Sequence, residues 1–138
     1  MRYFDASALA KRYVREPGSL RVKRLLSSDE PATSRLSAVE LGSALIRRWR
    51  EGMITDDHRD RALASVERDL GALLIVELAP VIVERALGLL RRHPLRAGDA
   101  IQLASCLHLR DALDDDVTFV AFDQRLVAAA RKERVRIA

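Results

Sequence analysis

Val117-Thr118-Phe119-Val120-Ala121-Phe122 is an uncharged, β-branched and aromatic run that ends at Asp123, and a helical pattern from Gln124 to about Glu133 follows it. So short an apolar run, with no internal polar alternation, predicts a strand covered on both faces. Working outward, Leu73-Leu74-Ile75-Val76 is the clearest buried strand of this kind, with polar or glycine-containing flanks. Shorter candidates stand at Arg2–Phe4, Ala32–Leu36 and Val135–Ile137.

Between these strands the spacing predicts helices. The first runs from Ala6 to about Val14 and is broken by Pro17-Gly18; the next runs from Ser19, its expected cap, to Leu26. A third carries Leu41, Ala44, Leu45 and Trp49 on its apolar side and stops at Gly52. Three more follow: Thr55 or Asp56 to Leu70, Pro80 to Arg92, and Asp99 to Arg110. Strands alternating with helices indicate an α/β fold, a three-layer α/β/α sandwich around a mainly parallel sheet. No repeat, linker or low-complexity tract divides residues 1–138, so a single domain is expected.

Four of the twenty carboxylates interrupt or border apolar runs: Asp5, Glu40, Asp99 and Asp123. Helix capping is the competing explanation for three of them, because Asp5, Asp99 and Asp123 each precede a helical segment. It does not explain Glu40, which falls inside its helix. Capping and ion binding also use different oxygens and are compatible. In a parallel sheet, ligands bind outside the carboxyl ends of the strands, where Asp5 and Asp123 are expected. Four carboxylates in one hollow repel one another unless protons or cations intervene. Oxygen-only ligands suit hard divalent ions such as Mg²⁺ or Mn²⁺.

Other chemistry lacks support. His58, His93 and His108 sit in unrelated contexts, and the single Cys106 can form neither an intrachain disulfide nor a thiolate cage. Ser7 and Ser37 have no evident histidine partner, and no phosphate-binding glycine loop is present. No apolar run approaches a bilayer's thickness and no signal peptide opens the chain, so a cytoplasmic setting without a membrane is expected. The formal net charge of +4, with Arg47-Arg48, Arg91-Arg92 and Arg131-Lys132 as basic clusters, favours a phosphate-bearing partner. Asp114-Asp115-Asp116 reads as an exposed turn, and Glu16, Glu51 and Glu133 as solvated charges near helix ends.

Four segments in order now resemble PIN-domain ribonucleases, in particular VapC-type toxins of bacterial toxin–antitoxin pairs. They are Tyr3-Phe4-Asp5-Ala6-Ser7-Ala8-Leu9, Thr33-Ser34-Arg35-Leu36-Ser37-Ala38-Val39-Glu40-Leu41, Leu95-Arg96-Ala97-Gly98-Asp99-Ala100-Ile101-Gln102-Leu103-Ala104 and Phe119-Val120-Ala121-Phe122-Asp123-Gln124-Arg125-Leu126. The third is the most specific, and the likeness spans essentially the whole chain. It implies that Asp5, Glu40, Asp99 and Asp123 form the family's acidic quartet, with Mg²⁺ or Mn²⁺ as cofactor. It further implies endoribonuclease activity on an RNA substrate, a homodimer and a cognate antitoxin protein. The expected roles are Asp5 and Asp99 as core ligands, with Glu40 and Asp123 completing or bridging the site and one of them orienting the attacking water. Ser7 matches the family's small hydroxyl after the first acid. Ala121 departs from it, standing where a hydroxyl often precedes the last acid.

Two rivals remain. An aspartyl-phosphate phosphatase would need a second aspartate where the chain has Ser7. A non-catalytic binding module of the same fold would bind RNA or protein without cleaving it.

Overall fold

Arg2–Phe4 (β1) and Thr118–Val120 (β4) lie side by side at the centre of a five-stranded sheet in the computed structural model, which describes residues 1–138. The chain starts at β1, runs through helices Ala6–Ala10 (α1) and Ser19–Leu26 (α2), and pairs Pro31–Ser34 (β2) beside it. Helices Leu36–Arg50 (α3) and Asp56–Leu70 (α4) then lead to Leu74–Val76 (β3) on the outer side of β2. The chain crosses back through helices Pro80–Arg92 (α5) and Ala97–Leu113 (α6) to β4. Helix Gln124–Lys132 (α7) closes onto Arg136–Ile137 (β5) at the other edge. The order is β3-β2-β1-β4-β5 and every neighbour pair is parallel, as the apolar strands predict.

This order fixes where a ligand can sit. From β1 the chain builds outward in one direction and then, after α6, in the other, so the strand order reverses between β1 and β4. A crevice opens at the carboxyl ends of two strands whose connections diverge in this way. Asp5 directly follows β1 and Asp123 lies three residues beyond β4. The Asp5 backbone N–H donates to the carbonyl of Val120 (3.1 Å), locking the two strand ends together.

Successive strand residues serve opposite layers. Tyr3 and Phe119, ring centroids 5.7 Å apart, face α5, α6 and α7 and join a core with Ile82, Leu89, Leu103 and Leu126. Phe4 and Val120 face α1 to α4 and pack with Leu9, Val22, Leu41, Leu45 and Val66. The helices therefore cover both faces, giving three layers.

The structure corrects several local expectations. Leu73–Val76 is not a strand buried on both faces: β3 starts at Leu74, lies on the sheet edge, and buries only Val76. Its short aliphatic run cannot distinguish an edge from a centre. The first helix ends at Ala10 rather than Val14. Beyond it the backbone tightens into i→i+3 bonds, with the Arg12 and Tyr13 side chains both reaching Asp69 on α4. Ser19 lies inside α2, whose cap position is Gly18. The sixth helix starts at Ala97, so Asp99 occupies its first turn and is not its cap. Glu16 is not simply solvated, since it accepts from Lys11 and Arg48, nor is Glu133, which accepts from Arg92 and His93.

Gly18 takes a left-handed φ of +93°, and a Cβ there would stand 2.9 Å from the Phe122 ring, just before Asp123. We predict that Gly18→Ala destabilises the protein by at least about 1–2 kcal/mol, the cost of left-handed backbone alone. Denaturant unfolding measures this, and wild-type stability would contradict it.

Candidate active site

The crevice between the strand ends is an open cleft of about 530 Å³ whose lining includes Asp5, Ser7, Glu40, Arg47, Asp99 and Gln102. Each element delivers its side chain for a local reason. Asp5 caps α1: its Oδ1 accepts from the Ala8 backbone N–H (2.8 Å), and its Oδ2 accepts from the Ser7 hydroxyl (2.6 Å). Glu40 sits on α3, one turn beyond Leu36 and flanking the side that buries Leu41 and Leu45. Asp99 projects from the first turn of α6, where the helix dipole favours an acid. Asp123 caps α7 through the Leu126 N–H (2.9 Å). Capping and a place in the cleft lining therefore coincide at Asp5.

The four acids descend from rim to floor. Asp123 is exposed, Glu40 and Asp99 are half-buried, and Asp5 keeps only 3% of its surface in solvent. Asp5, Glu40 and Asp99 line one cleft. Asp123 is outside that lining but close enough to Asp99 to repel its charge.

The repulsion is visible in the acidities. Burial raises the Asp5 carboxyl to about 6; its hydrogen bonds to Ser7 and Ala8 oppose the rise, and the charges of Asp99 and Glu40 add to it. Burial also raises Glu40, with donation from Gln102 pulling down and Asp99 pushing up. Asp99 is raised by burial and by Asp123, against the pull of Arg96. Asp99 thus interacts with all three other acids. No lysine, arginine or histidine forms a salt bridge with any of the four.

An all-carboxylate, mutually repelling group without a salt bridge fits a hard divalent ion in its donor chemistry. As the side chains stand, no three His, Cys, Asp or Glu residues are gathered closely enough to enclose one ion. An ion held by three of these carboxylates at once would require them to shift toward each other, whereas one held by two and completed by water would not.

Sequence reasoning missed the groups between and behind the acids. Gln102 donates from its Nε2 to Glu40 Oε2 (2.6 Å) and to the Ser37 hydroxyl (3.0 Å). One signal was present: a glutamine one turn after Asp99, in the otherwise apolar Ile101-Gln102-Leu103-Ala104, faces the same side as that acid. Arg47 and Arg96 face the cleft from α3 and from the start of α6, and neither is in a salt bridge or a side-chain hydrogen bond. Arg48 pairs with Glu16 instead, and Trp49 lies under the Arg59 guanidinium (4.4 Å) and donates to Asp56. The doublet Arg47-Arg48 and the neighbouring tryptophan therefore serve separate purposes.

A carboxyl with a raised folded-state pKa binds its proton more tightly in the folded state. It therefore lowers stability as pH rises from its unfolded value toward about 6. In chelator at pH 7.5, Asp5→Asn should be more stable than the wild type by up to about 3 kcal/mol, with the gain vanishing near pH 3.5. Denaturant unfolding across this range checks it; an equal or less stable variant at pH 7.5 would show that Asp5 carries no such strain.

Comparison with known proteins now adds to this geometry. The model of the PIN domain family matches residues 2–132. Ribonuclease VapC45 of Mycobacterium tuberculosis is 34% identical, covering 99% of this chain and 93% of its own length. Among solved structures, M. tuberculosis VapC20, described as a toxin that cleaves the sarcin–ricin loop, superposes with a TM-score of 0.69 at 21% identity, covering 94% of this chain and 95% of that one. A chain of a toxin–antitoxin complex from Klebsiella pneumoniae gives 0.66 at 17% identity, covering 93% and 91%. With its fold, its full-length match and its acids at the β1–β4 crevice, the chain belongs to the PIN-domain family, among the VapC proteins.

Proposed function

We propose that the protein is a Mg²⁺- or Mn²⁺-dependent endoribonuclease and the toxin of a toxin–antitoxin pair acting in the cytoplasm. The observation that carries this reading is the convergence of Asp5, Glu40 and Asp99 in one cleft, repelling each other with no salt bridge to any of them. Asp5 and Asp99 would hold the ion, with Glu40 and Asp123 completing the site. A bound divalent ion would supply a Lewis acid and an acidified water for attack on phosphorus.

The chain's own groups do the rest. Ser7 and the α1 N-terminus keep the Asp5 carboxylate turned toward the cleft. Glu40 or Asp123 accepts a hydrogen bond from the attacking water and aligns it with the scissile bond. Arg47 and Arg96 approach phosphate oxygens as hydrogen-bonding cations, countering the repulsion an RNA strand would meet from the acids. Two further proposals follow the family: an antitoxin protein that covers the cleft, supported by the toxin–antitoxin complex among the structural neighbours, and a homodimer. Val83, Leu87 and Leu90 form an exposed apolar stripe on α5 at i, i+4 and i+7, which supports association with a second copy. No helix is long and apolar enough to cross a membrane.

Incubating purified protein with single-stranded RNA, in Mn²⁺ and in chelator, tests the reading. Cleavage should require Mn²⁺, and binding without any cleavage would favour the non-catalytic module. Asp5→Asn and Asp99→Asn should each lower cleavage at least about a hundredfold while the folded circular-dichroism spectrum persists. Unchanged turnover in either would remove that residue from the site. Arg47→Ala and Arg96→Ala should weaken RNA binding and each flatten the slope of log K against log salt by about 0.7, one phosphate contact to a single strand. An unaltered slope would exclude that arginine from contact with the backbone.

A further inference from the structure

Glu40 is backed by a continuous run of buried hydrogen bonds that none of the proposed chemistry uses. The Tyr3 hydroxyl donates to Gln102 Oε1 (2.8 Å), and Gln102 Nε2 donates to both Glu40 Oε2 (2.6 Å) and Ser37 Oγ (3.0 Å). The Ser37 and Thr33 hydroxyl oxygens are 2.6 Å apart, and Thr33 Oγ1 lies 2.8 Å from the Phe4 carbonyl. Tyr3, Thr33, Ser37 and Gln102 are all buried, so water cannot substitute for a missing partner. The run begins on β1, passes through α6, α3 and β2, and returns to β1 at the peptide before Asp5.

Elementary valence assigns every proton in it. A carbonyl only accepts, so Thr33 donates to Phe4. Thr33 then accepts from Ser37, and Ser37, having donated, accepts from Gln102. The Gln102 NH₂ group must therefore face α3, which is also what a carboxylate acceptor at Glu40 requires. Its Oε1 is left facing the sheet, and Tyr3 supplies the one donor it has there. The amide cannot be reversed without breaking bonds at both ends.

The opposite side of Glu40 is equally confined. Oε1 packs against the bare Cα of Gly98, where a Cβ would come within 2.5 Å of it. A glutamate has several rotatable bonds and loses its preferred direction easily in a half-open cleft. Here its carboxylate is pinned between an amide and a glycine, next to Asp99.

We propose that Tyr3 and Gln102 are positioning residues of the site: the Tyr3 hydroxyl anchors the Gln102 amide, and that amide holds the Glu40 carboxylate beside Asp99. Its consequence for ion binding rests on the function proposed above, while the relay itself can be read in metal-free protein. Groups that orient a metal ligand from behind typically contribute ten- to a hundredfold in metal affinity. Tyr3→Phe keeps the ring that packs on Phe119 and removes only the donor, leaving a buried amide oxygen without a partner.

The test measures Mn²⁺ affinity by electron paramagnetic resonance in wild type, Tyr3→Phe, Gln102→Met and the double variant. In parallel, it follows the Gln102 side-chain amide by NMR in chelator. Tyr3→Phe should bind Mn²⁺ about tenfold more weakly, and Gln102→Met at least as weakly. The double variant should match Gln102→Met, because Tyr3 acts only through that amide. In metal-free wild type the Gln102 amide protons should be two resolved signals protected from solvent exchange, and Tyr3→Phe should lose that protection. Wild-type Mn²⁺ affinity in either single variant, or additive losses in the double, overturns the relay. Should wild type bind no Mn²⁺ at all, the metal-dependent function fails, and the relay stands or falls on the amide signals: an unprotected Gln102 amide in wild type overturns it. Should Tyr3→Phe not fold, Gln102→Met and the wild-type signals decide by the same criteria.

Discussion

A carboxylate almost wholly removed from water at the end of a central strand is the constraint around which this molecule is arranged. Asp5 is placed there by the pairing of β1 with β4, the only point where the strand order reverses. Burial disfavours its charge, and its own helix answers with a backbone N–H and the Ser7 hydroxyl. Those bonds do not restore an ordinary carboxylate pKa, because burial outweighs them and the charges of Asp99 and Glu40 add to it. Arg96 relieves this repulsion only in part, and none of the four acids is in a salt bridge. Such retained strain supports the divalent-ion site proposed above.

The two helical layers each supply two of the four acids. The α1–α4 layer supplies Asp5 at its entry and Glu40 from α3, while the α5–α7 layer supplies Asp99 from α6 and Asp123 from the loop before α7. Gln102 and Ser37 join α6 to α3 by a direct hydrogen bond near the sheet end. Polar groups buried there hold two acids from different layers in one relation, which apolar packing alone does not specify.

Much of the architecture was legible from pattern. Short strand candidates at Val117–Phe122 and Arg2–Phe4, alternating with helical spacing, gave the parallel sheet and its coverage, and the structure places Thr118–Val120 and Arg2–Phe4 at its centre. Leu73–Val76 misled because edge and centre strands can share an aliphatic composition, and only pairing separates them. The α6 start was misplaced by two residues because Asp99 suits a cap as well as a first turn, both favoured by the same dipole. Ser19 was misassigned as a cap because Gly18 can adopt a left-handed backbone that no side chain signals.

The acids themselves were visible as charge in apolar company, since a carboxylate beside a strand end is costly unless it has a task. Sequence by itself therefore determined the fold class, the chemistry of the donors and the family resemblance. Tertiary structure alone decided that Arg47 faces the cleft while Arg48 binds Glu16, that Asp123 stays at the rim, and that Tyr3 reaches Gln102 across 99 positions of chain. The physical reason is range: periodicity and local composition report which side of an element a residue occupies. Which group meets it there depends on the packing of elements distant in sequence.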